Sequence, residues 1–317
     1  MLILIAGITG NIGQHAARAG LERGHKIRGL GRSPQKLDPS IRSQLESFVE
    51  SKNYYDIPAL ENAVKDVDAV ICAYSGVPEL ALDGQLLLLR AADRAGVRRY
   101  LAASWNYDWR KVPFGSAEIY DPYMSFHAQA NLTGNIRTLH ILTGMLAEVF
   151  FGSHPEQGFT PANDGVWDPA PEGSSPDSRL KAMDIYGTGD EPWYFTSEAD
   201  AGAFSIEVVT GPDAEKGGFV NLVSWVHSLR EVAKIYEKVH PDAKIHITEK
   251  GSVEELEKKA VAEREKWSRT EFWEYHRLFF QIYTVKGVWN LGELENEKYP
   301  GAKATTLEQF LRENPEI

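Results

Sequence analysis

Met1-Leu-Ile-Leu-Ile-Ala6 runs directly into Gly7-Ile-Thr-Gly10-Asn-Ile-Gly13, and residues 14–22 have the pattern of a helix. This order predicts a buried strand, a glycine turn and a helix. Gly7 permits the tight turn, Gly10 lets a ligand approach the backbone, and Gly13 lets the helix pack on the strand. Because free N–H groups at a helix start attract an anion, the stretch predicts a site for the diphosphate of a dinucleotide. An ordinary structural turn is the alternative.

Length, charge and cysteine content narrow the class of protein. The chain has 317 residues, enough for one large α/β domain or a domain with a smaller annex, and its net charge is −11. The acidic balance argues against nucleic acid as a partner. The only cysteine, Cys72, lies in an apolar run, which predicts no disulfides and a reducing compartment. No apolar run approaches the roughly 20 residues of a membrane span, so we expect a cytoplasmic protein without a membrane partner. The nine histidines are scattered, so no metal site is expected.

Short apolar strands alternate with helical stretches along the first half of the chain. After the first strand, the predicted strands are residues 26–30, 48–49, 69–73, 99–103 and 138–142. This alternation predicts an α/β fold of the Rossmann type, with a doubly wound parallel sheet. Ligands of such sheets bind at the carboxyl ends of the strands. We expect residues 1–150 to form the nucleotide-binding domain and residues 151–317 to form a smaller substrate-binding region, interleaved with the same sheet.

The second strand ends in Gly31-Arg-Ser-Pro-Gln-Lys36. A fold that binds NAD usually has an acidic residue here, which holds the ribose hydroxyls. Arg32 occupies that position, and a guanidinium can bind a 2′-phosphate through two parallel charge-assisted hydrogen bonds. Ser33 and Lys36 would be further donors. The sequence therefore favours NADP(H) over NAD, with a solvated turn residue as the alternative for Arg32.

Several separated motifs occur together in this chain. The glycine turn and Gly31-Arg-Ser-Pro34 are followed by Ile185-Tyr-Gly-Thr-Gly-Asp190, by Phe195-Thr-Ser197 and by Asp200. Over most of residues 1–240 the chain resembles fungal NmrA-like, isoflavone-reductase-like proteins, which are atypical short-chain dehydrogenases. The resemblance implies a Rossmann domain that binds NADP(H), a smaller C-terminal part that covers the substrate, and reduction of aromatic or alkaloid metabolites.

The resemblance also implies that the segment from Gly144 passes the nicotinamide ring. Together with the carboxyl ends of the strands, it gives the full set of predicted cofactor residues. These are Gly7, Thr9, Gly10, Asn11, Ile12, Gly13, Arg32, Ser33, Lys36, Ala73, Tyr74, Ser104, Gly144, Met145 and Leu146.

The proton donor is the point at which the chain departs from the family. The family's reductases have a serine-containing turn after strand five, which Ser104 fits, and a lysine in the following helix. No lysine occurs between Lys111 and Lys181. Tyr123 and His127 stand there instead, four residues apart and so on one helical face. His127 could polarise Tyr123 or protonate a substrate. The predicted catalytic residues are His127, Tyr123 and Ser104, with a merely packed or solvent-facing histidine as the alternative.

Aromatic side chains crowd the segment after strand five. The predicted substrate residues are Trp105, Tyr107, Tyr120, Tyr123 and Phe126. Such density suits a flat apolar ligand, and ordinary core packing is the alternative. For the later aromatic residues between 267 and 280, core packing is the first interpretation and a pocket wall or dimer surface the second. We also predict a long surface loop over residues 153–178 and a hairpin formed by residues 183–187 and 193–196.

These observations lead to two hypotheses of function. The first is an NADPH-dependent oxidoreductase that reduces an aromatic or indole-alkaloid-like imine, iminium or carbonyl in fungal specialised metabolism, with a Diels–Alder type of coupled cyclisation as a further option. An iminium needs no proton donor before hydride arrives, so the missing lysine fits it. The second is a non-catalytic NAD(P)-sensing regulator. In either case we expect a small aromatic molecule as the ligand and a monomer or homodimer.

Overall fold

The computed structural model describes residues 1–153, 159–171 and 180–317. The strands are β1 (Leu2–Ala6), β2 (Lys26–Gly31), β3 (Ser47–Glu50), β4 (Ala69–Cys72), β5 (Arg99–Leu101), β6 (Leu139–Leu142), β7 (Met145–Leu146), β8 (Trp167–Asp168), β9 (Leu180–Tyr186), β10 (Trp193–Thr196), β11 (Gly218–Asn221), β12 (Trp225–His227) and β13 (Lys244–Gly251). The helices are α1 (Asn11–Glu22), α2 (Pro39–Arg42), α3 (Ile57–Ala63), α4 (Gln85–Arg94), α5 (Asp121–Thr133), α6 (Ala147–Phe150), α7 (Glu198–Thr210), α8 (Leu229–Val239), α9 (Val253–Lys266), α10 (His276–Val285) and α11 (Leu307–Glu313).

The main sheet has seven parallel strands in the order β11-β6-β5-β4-β1-β2-β3. The chain moves from β1 to β2 and β3 on one side and then crosses to β4 on the other. The order therefore reverses between β1 and β4, which is where ligands bind in doubly wound sheets. The glycine turn follows β1 at this point. The prediction of a Rossmann-type α/β fold is confirmed.

Helices cover both faces of this sheet. Ile3, Leu4 and Ile5 in β1 are fully buried, as a parallel sheet covered on both faces requires. One covering helix, α7, comes from the second half of the chain and packs closely on α1: a Cβ on Gly202 would lie 2.6 Å from the backbone N of Ala16. Residues beyond 150 thus contribute the edge strand β11 of the main sheet and one of the helices that cover it.

Two three-stranded sheets lie outside the main one, in the orders β12-β10-β7 and β13-β9-β8. The predicted hairpin is wrong, because β9 and β10 do not pair with each other. In the loop between them, Gly187 and Gly189 adopt positive φ, and the Glu191 carboxylate accepts hydrogen bonds from the backbone N–H groups of Thr188 and Gly189. This loop carries the chain from one small sheet to the other.

The C-terminal region adds α9 and α10, joined by a 3₁₀ segment, Arg269–Glu274. Ser252 and Glu255 form a capping box at the start of α9. Of the predicted surface loop, residues 154–158 and 172–179 lie outside the described residues. Its described part contains the 3₁₀ turn Pro161–Asn163 and the strand β8. Among the helices of the described ranges, none has both the length and the apolar character that a membrane crossing needs.

Candidate functional site

A crevice of about 1170 Å³ runs along the carboxyl ends of the main sheet. Pockets for one small ligand usually measure about 300–1,000 Å³, so the crevice has room for a dinucleotide and a second molecule. Its walls come from the glycine turn, from the segments after β2 to β6, and from residues 273–280. Both halves of the chain therefore form one continuous site.

The glycine turn at one wall of the crevice has the geometry of an anion site. Gly7 has φ +77°, and a Cβ there would lie 2.3 Å from the carbonyl oxygen of Ala73. A Cβ on Gly13 would lie 2.5 Å from the carbonyl oxygen of Gly7. Gly10 caps α1 without a side-chain hydrogen bond, and the first turn of α1 has no acidic residue. The helix start therefore presents backbone N–H groups without a side-chain cap from Gly10 and without a neighbouring carboxylate in the first turn, which suits an anion.

Arg32 lines the crevice at the end of β2. Its side chain is exposed and forms no hydrogen bond or ion pair with any described residue. Asn53, Tyr54 and Tyr55, which follow β3, line the same end of the crevice. Two tyrosine rings and an unpaired guanidinium suit the adenosine end of a dinucleotide that carries a further phosphate.

A carboxylate pair lies beside the glycine turn. The Asn11 amide donates to Glu198, which lines the crevice at the start of α7, at 3.1 Å. The backbone N–H of Glu198 donates to both carboxylate oxygens of Glu148 at 3.0 Å. Burial, reinforced by the charge of Glu198, raises the pKa of Glu148 to about 8. Glu148 is therefore mostly protonated at neutral pH, which limits the negative charge close to the anion site.

The segments after β5 and β6 meet at the middle of the crevice. Ser104 and Asn106 line it from one side and Gly144 and Met145 from the other. The Ser104 hydroxyl accepts a hydrogen bond from the Trp109 indole at 3.4 Å. Gly144 has φ +70°, and a Cβ there would lie 2.3 Å from the carbonyl oxygen of Tyr194, so this position requires glycine.

Tyr123 of α5 lines the crevice near the same place. Burial raises its pKa to about 12, while a hydrogen bond with Asn106 acts in the opposite direction. Its hydroxyl lies close to Gly76, where an added Cβ would be 2.9 Å away. Tyr123 is therefore a neutral phenol at physiological pH, able to donate a hydrogen bond to negative charge that develops in the crevice.

His127 does not line the crevice. Its Nδ1 lies 3.3 Å from Nε2 of His140, its Nε2 lies 3.1 Å from the Asn131 amide, and its ring packs against Trp109 and Phe219. Four residues advance about 6 Å along a helix axis, so a side chain one turn beyond Tyr123 lies past the edge of the crevice. Burial, with the nearby charge of Arg110, also lowers the pKa of His127. Tyr123 therefore lines the crevice and His127 does not, although the sequence predicted that the two act together.

Most of the predicted site residues line the crevice, and six, with His127 among them, do not. Those that do are Gly7, Thr9, Gly10, Asn11, Ile12, Arg32, Ala73, Tyr74, Ser104, Trp105, Tyr107, Tyr123, Gly144, Met145 and Leu146. Gly13, Ser33, Lys36, Tyr120, Phe126 and His127 are not among its lining residues. Tyr120 and Phe126 are buried behind the wall, where Tyr120 packs against Phe280 and Trp289 and Phe126 against Tyr100.

A wall from the C-terminal region was not among the predicted site residues. Trp273, His276, Arg277 and Phe280 line the crevice. Nδ1 of His276 faces the carbonyl oxygen of Trp273 at 3.0 Å, so this nitrogen carries the proton and Nε2 is left as an acceptor. Burial lowers the pKa of His276 to about 3. The cluster of aromatic residues at near-helical spacing was the available signal, and it had a pocket wall as its second interpretation.

The NmrA-like family model matches residues 1–311. The chain belongs to this family. Among curated relatives, a phenylcoumaran benzylic ether reductase from Pinus taeda is 28% identical, over 98% of this chain and 97% of the relative. Pinoresinol reductase 2 from Arabidopsis thaliana is 23% identical over 98% of this chain and 96% of the relative.

Solved structures with similar folds include a leucoanthocyanidin reductase–NADPH complex from Vitis vinifera. It has a TM-score of 0.73 and 19% identity and covers 99% of both chains. At these identities the likeness shows the fold. That structure is a complex with NADPH. Within the described residues, no group of three or more His, Cys, Asp or Glu side chains could hold a metal ion.

Proposed function

We propose that this NmrA-like protein is an NADPH-dependent reductase of a small aromatic molecule, an oxidoreductase of the atypical short-chain dehydrogenase type. One observation carries the proposal. A single crevice joins a glycine turn at a helix start, an exposed arginine that pairs with no described residue, and an aromatic wall, and the neutral phenol of Tyr123 lines it. In this proposal residues 1–150 supply most contacts to the cofactor, and residues 151–317 supply the wall that faces the substrate.

The residues present fit NADP(H). The N–H groups at the start of α1 would bind the diphosphate, because Gly10, the residue before the helix, has no side chain to cap them. Arg32 would bind the 2′-phosphate, and Tyr54 and Tyr55 would lie beside the adenosine. NADPH, when bound, supplies the hydride.

Tyr123 is the best candidate for the group that stabilises the reduced substrate. Hydride transfer to an aromatic ketone, imine or benzylic ether leaves an electron pair on a heteroatom, which then takes a proton. A buried phenol with a pKa of about 12 keeps its proton at neutral pH and can donate it as that charge develops. Neutral His276, with Nε2 free of the proton, can accept a hydrogen bond from a substrate hydroxyl in the same crevice.

The relatives are named as reductases of a phenylcoumaran benzylic ether and of pinoresinol. We therefore propose an aryl compound with a reducible benzylic C–O bond as the first substrate class to test, ahead of the imine, iminium or carbonyl group. No described residue favours an indole alkaloid or a coupled cyclisation, so the proposal is limited to reduction. A role in fungal specialised metabolism remains a sequence-based prediction.

The test is a rate measurement on the purified chain with NADPH and a panel containing a phenylcoumaran benzylic ether, pinoresinol, an aromatic ketone and an aromatic imine. We expect loss of NADPH absorbance with at least one of them. Tyr123→Phe should lower kcat by roughly 10²–10⁴-fold without changing the Kd for NADPH. Tyr283→Phe is the matched control, because this hydroxyl bonds to the Ser116 carbonyl and its residue does not line the crevice.

Two results would contradict the proposal. A Tyr123→Phe protein as fast as the parent would remove the assigned donor. A chain that binds NADPH and NADP⁺ but consumes neither with any of these compounds would support a cofactor-sensing regulator instead.

A further inference from the structure

Two arginines line the crevice, and they lie on segments far apart in the sequence. Arg32, at the end of β2, has a proposed partner in the 2′-phosphate. Arg277 lies in the first turn of α10, beside Trp273 and Phe280, among the residues assigned to the substrate. The cofactor accounts for the first cation, and the second has no assigned anion.

Arg277 has few partners within the protein. Its Nη1 donates to the carbonyl oxygen of Trp273 at 3.2 Å. A guanidinium has five N–H donors, and no described residue accepts from the others. The charges of Glu274 and Asp164 act on it, but neither carboxylate forms an ion pair with it. Asp164 is instead bonded to Lys259 at 2.6 Å.

The arginines that hold the fold together behave differently. Other partly buried arginines are paired with carboxylates: Arg23 with Glu207, Arg28 with Glu46 and Arg264 with Glu118. Arg277 is also partly buried, on a largely aromatic wall, and it stays charged. A buried cation without an anion costs free energy, so this position favours a ligand that brings one.

We propose that Arg277 binds a carboxylate on the aromatic substrate, so that the preferred substrates are aryl carboxylates. This inference rests on the proposed function, whose substrate class it narrows. The planar fork of a guanidinium matches the two oxygens of a carboxylate, and the aryl ring would lie against Trp273 and Phe280. Neutral His276 beside it adds no competing charge. In a chain of net charge −11, a local cation is needed to attract an anionic ligand.

The test is calorimetric binding of two probes to the full chain saturated with NADP⁺. The probes are a naphthalene carboxylate and the matching neutral carboxamide, which share ring and size. We expect the carboxylate to bind at least about tenfold tighter than the amide, as charge-assisted hydrogen bonds imply. Arg277→Gln should remove this preference while keeping the affinity for the amide and for NADP⁺. Arg277→Lys should keep part of it, because the charge remains.

Arg42→Gln is the matched control, since Arg42 is exposed and does not line the crevice, and it should behave as the parent. Circular dichroism of each variant establishes that it is folded. Equal affinity for both probes in the parent, no binding of the carboxylate, or an unchanged preference in folded Arg277→Gln would overturn the inference. Because no turnover is involved, these results are independent of the rate assay. Absence of NADPH consumption there, also with aryl carboxylate analogues of the panel compounds, would refute the proposed function without deciding the carboxylate preference.

Discussion

Replacement of Arg32 by glutamine should weaken the binding of NADPH and leave the binding of NADH almost unchanged. Arg32 is exposed and unpaired, so the substitution breaks no contact within the described residues. Two charge-assisted hydrogen bonds to a phosphate in an exposed site are worth about 1.5 kcal/mol after allowance for solvent screening. This corresponds to a roughly tenfold increase in the Kd for NADPH.

The assay is isothermal titration of the parent and of Arg32→Gln with NADPH and with NADH. Arg42→Gln removes the same charge from an exposed site outside the crevice, and it controls for the change in net charge. The loss should shrink in about 1 M salt, where the Debye length falls to about 3 Å. An unchanged Kd for NADPH would refute the assignment of Arg32. An equal loss for NADH would show that Arg32 contacts a part that both cofactors share.

Three predictions concern stability. Gly7→Ala should lower the free energy of unfolding by at least about 2 kcal/mol. Gly24→Ala is the control, since Gly24 has a similar positive φ but nothing within 4 Å of an added Cβ, and it should cost less. Equal losses in chemical denaturation would show that the contact with Ala73 does not matter. Burial holds the pKa of the His140 imidazole well below its usual value of about 6.5. As the pH falls below about 6.5, the imidazole is therefore protonated only in the unfolded chain. The free energy of unfolding decreases in this pH range by at most about 1.4 kcal/mol per pH unit. His140→Gln should flatten that dependence in denaturant titrations at several pH values, and an unchanged slope would contradict it. The pKa of Glu148 is shifted in the opposite direction, from the reference value of 4.5 to about 8 in the folded protein, so stability decreases as the pH rises between these values. Glu148→Gln should remove this loss in the same denaturant titrations. An unchanged pH dependence would show that the carboxyl is already ionised in the folded protein.

The residues proposed to bind the cofactor could be predicted from the sequence because the determinants of their positions are local. The turn from Gly7 needs no information beyond the strand before it and the helix after it. Arg32 follows the next strand at a spacing that the parallel βαβ unit sets. The carboxyl ends of β4, β5 and β6 then lie at the same edge of the sheet, which brings Ala73, Ser104 and Gly144 to the crevice.

The substrate half depends on contacts between distant residues. Trp273, His276 and Arg277 reach the crevice through the packing of α9 and α10, and no local pattern specifies where that pair lies. The predicted hairpin is wrong because Gly187 and Gly189, which have positive φ, lie in a loop that connects two different sheets.

Helical spacing alone also could not predict which residues of α5 line the crevice. Tyr123 and His127 are one turn apart, as predicted, but only the first lies at the depth of the crevice. His127 instead contacts His140 of β6 and Phe219 of β11. The position of a strand from residue 218 onward, next to β6, could not be read from residues 121–133.

A crystal structure of the chain with NADPH would show whether the crevice holds the cofactor and in which orientation. We expect the diphosphate on the N–H groups at the start of α1, the 2′-phosphate on Arg32, and the nicotinamide beside Tyr123 and Met145, facing the wall that carries His276. A crevice without nucleotide at saturating NADPH, or a nicotinamide ring directed away from Tyr123, would contradict this expectation.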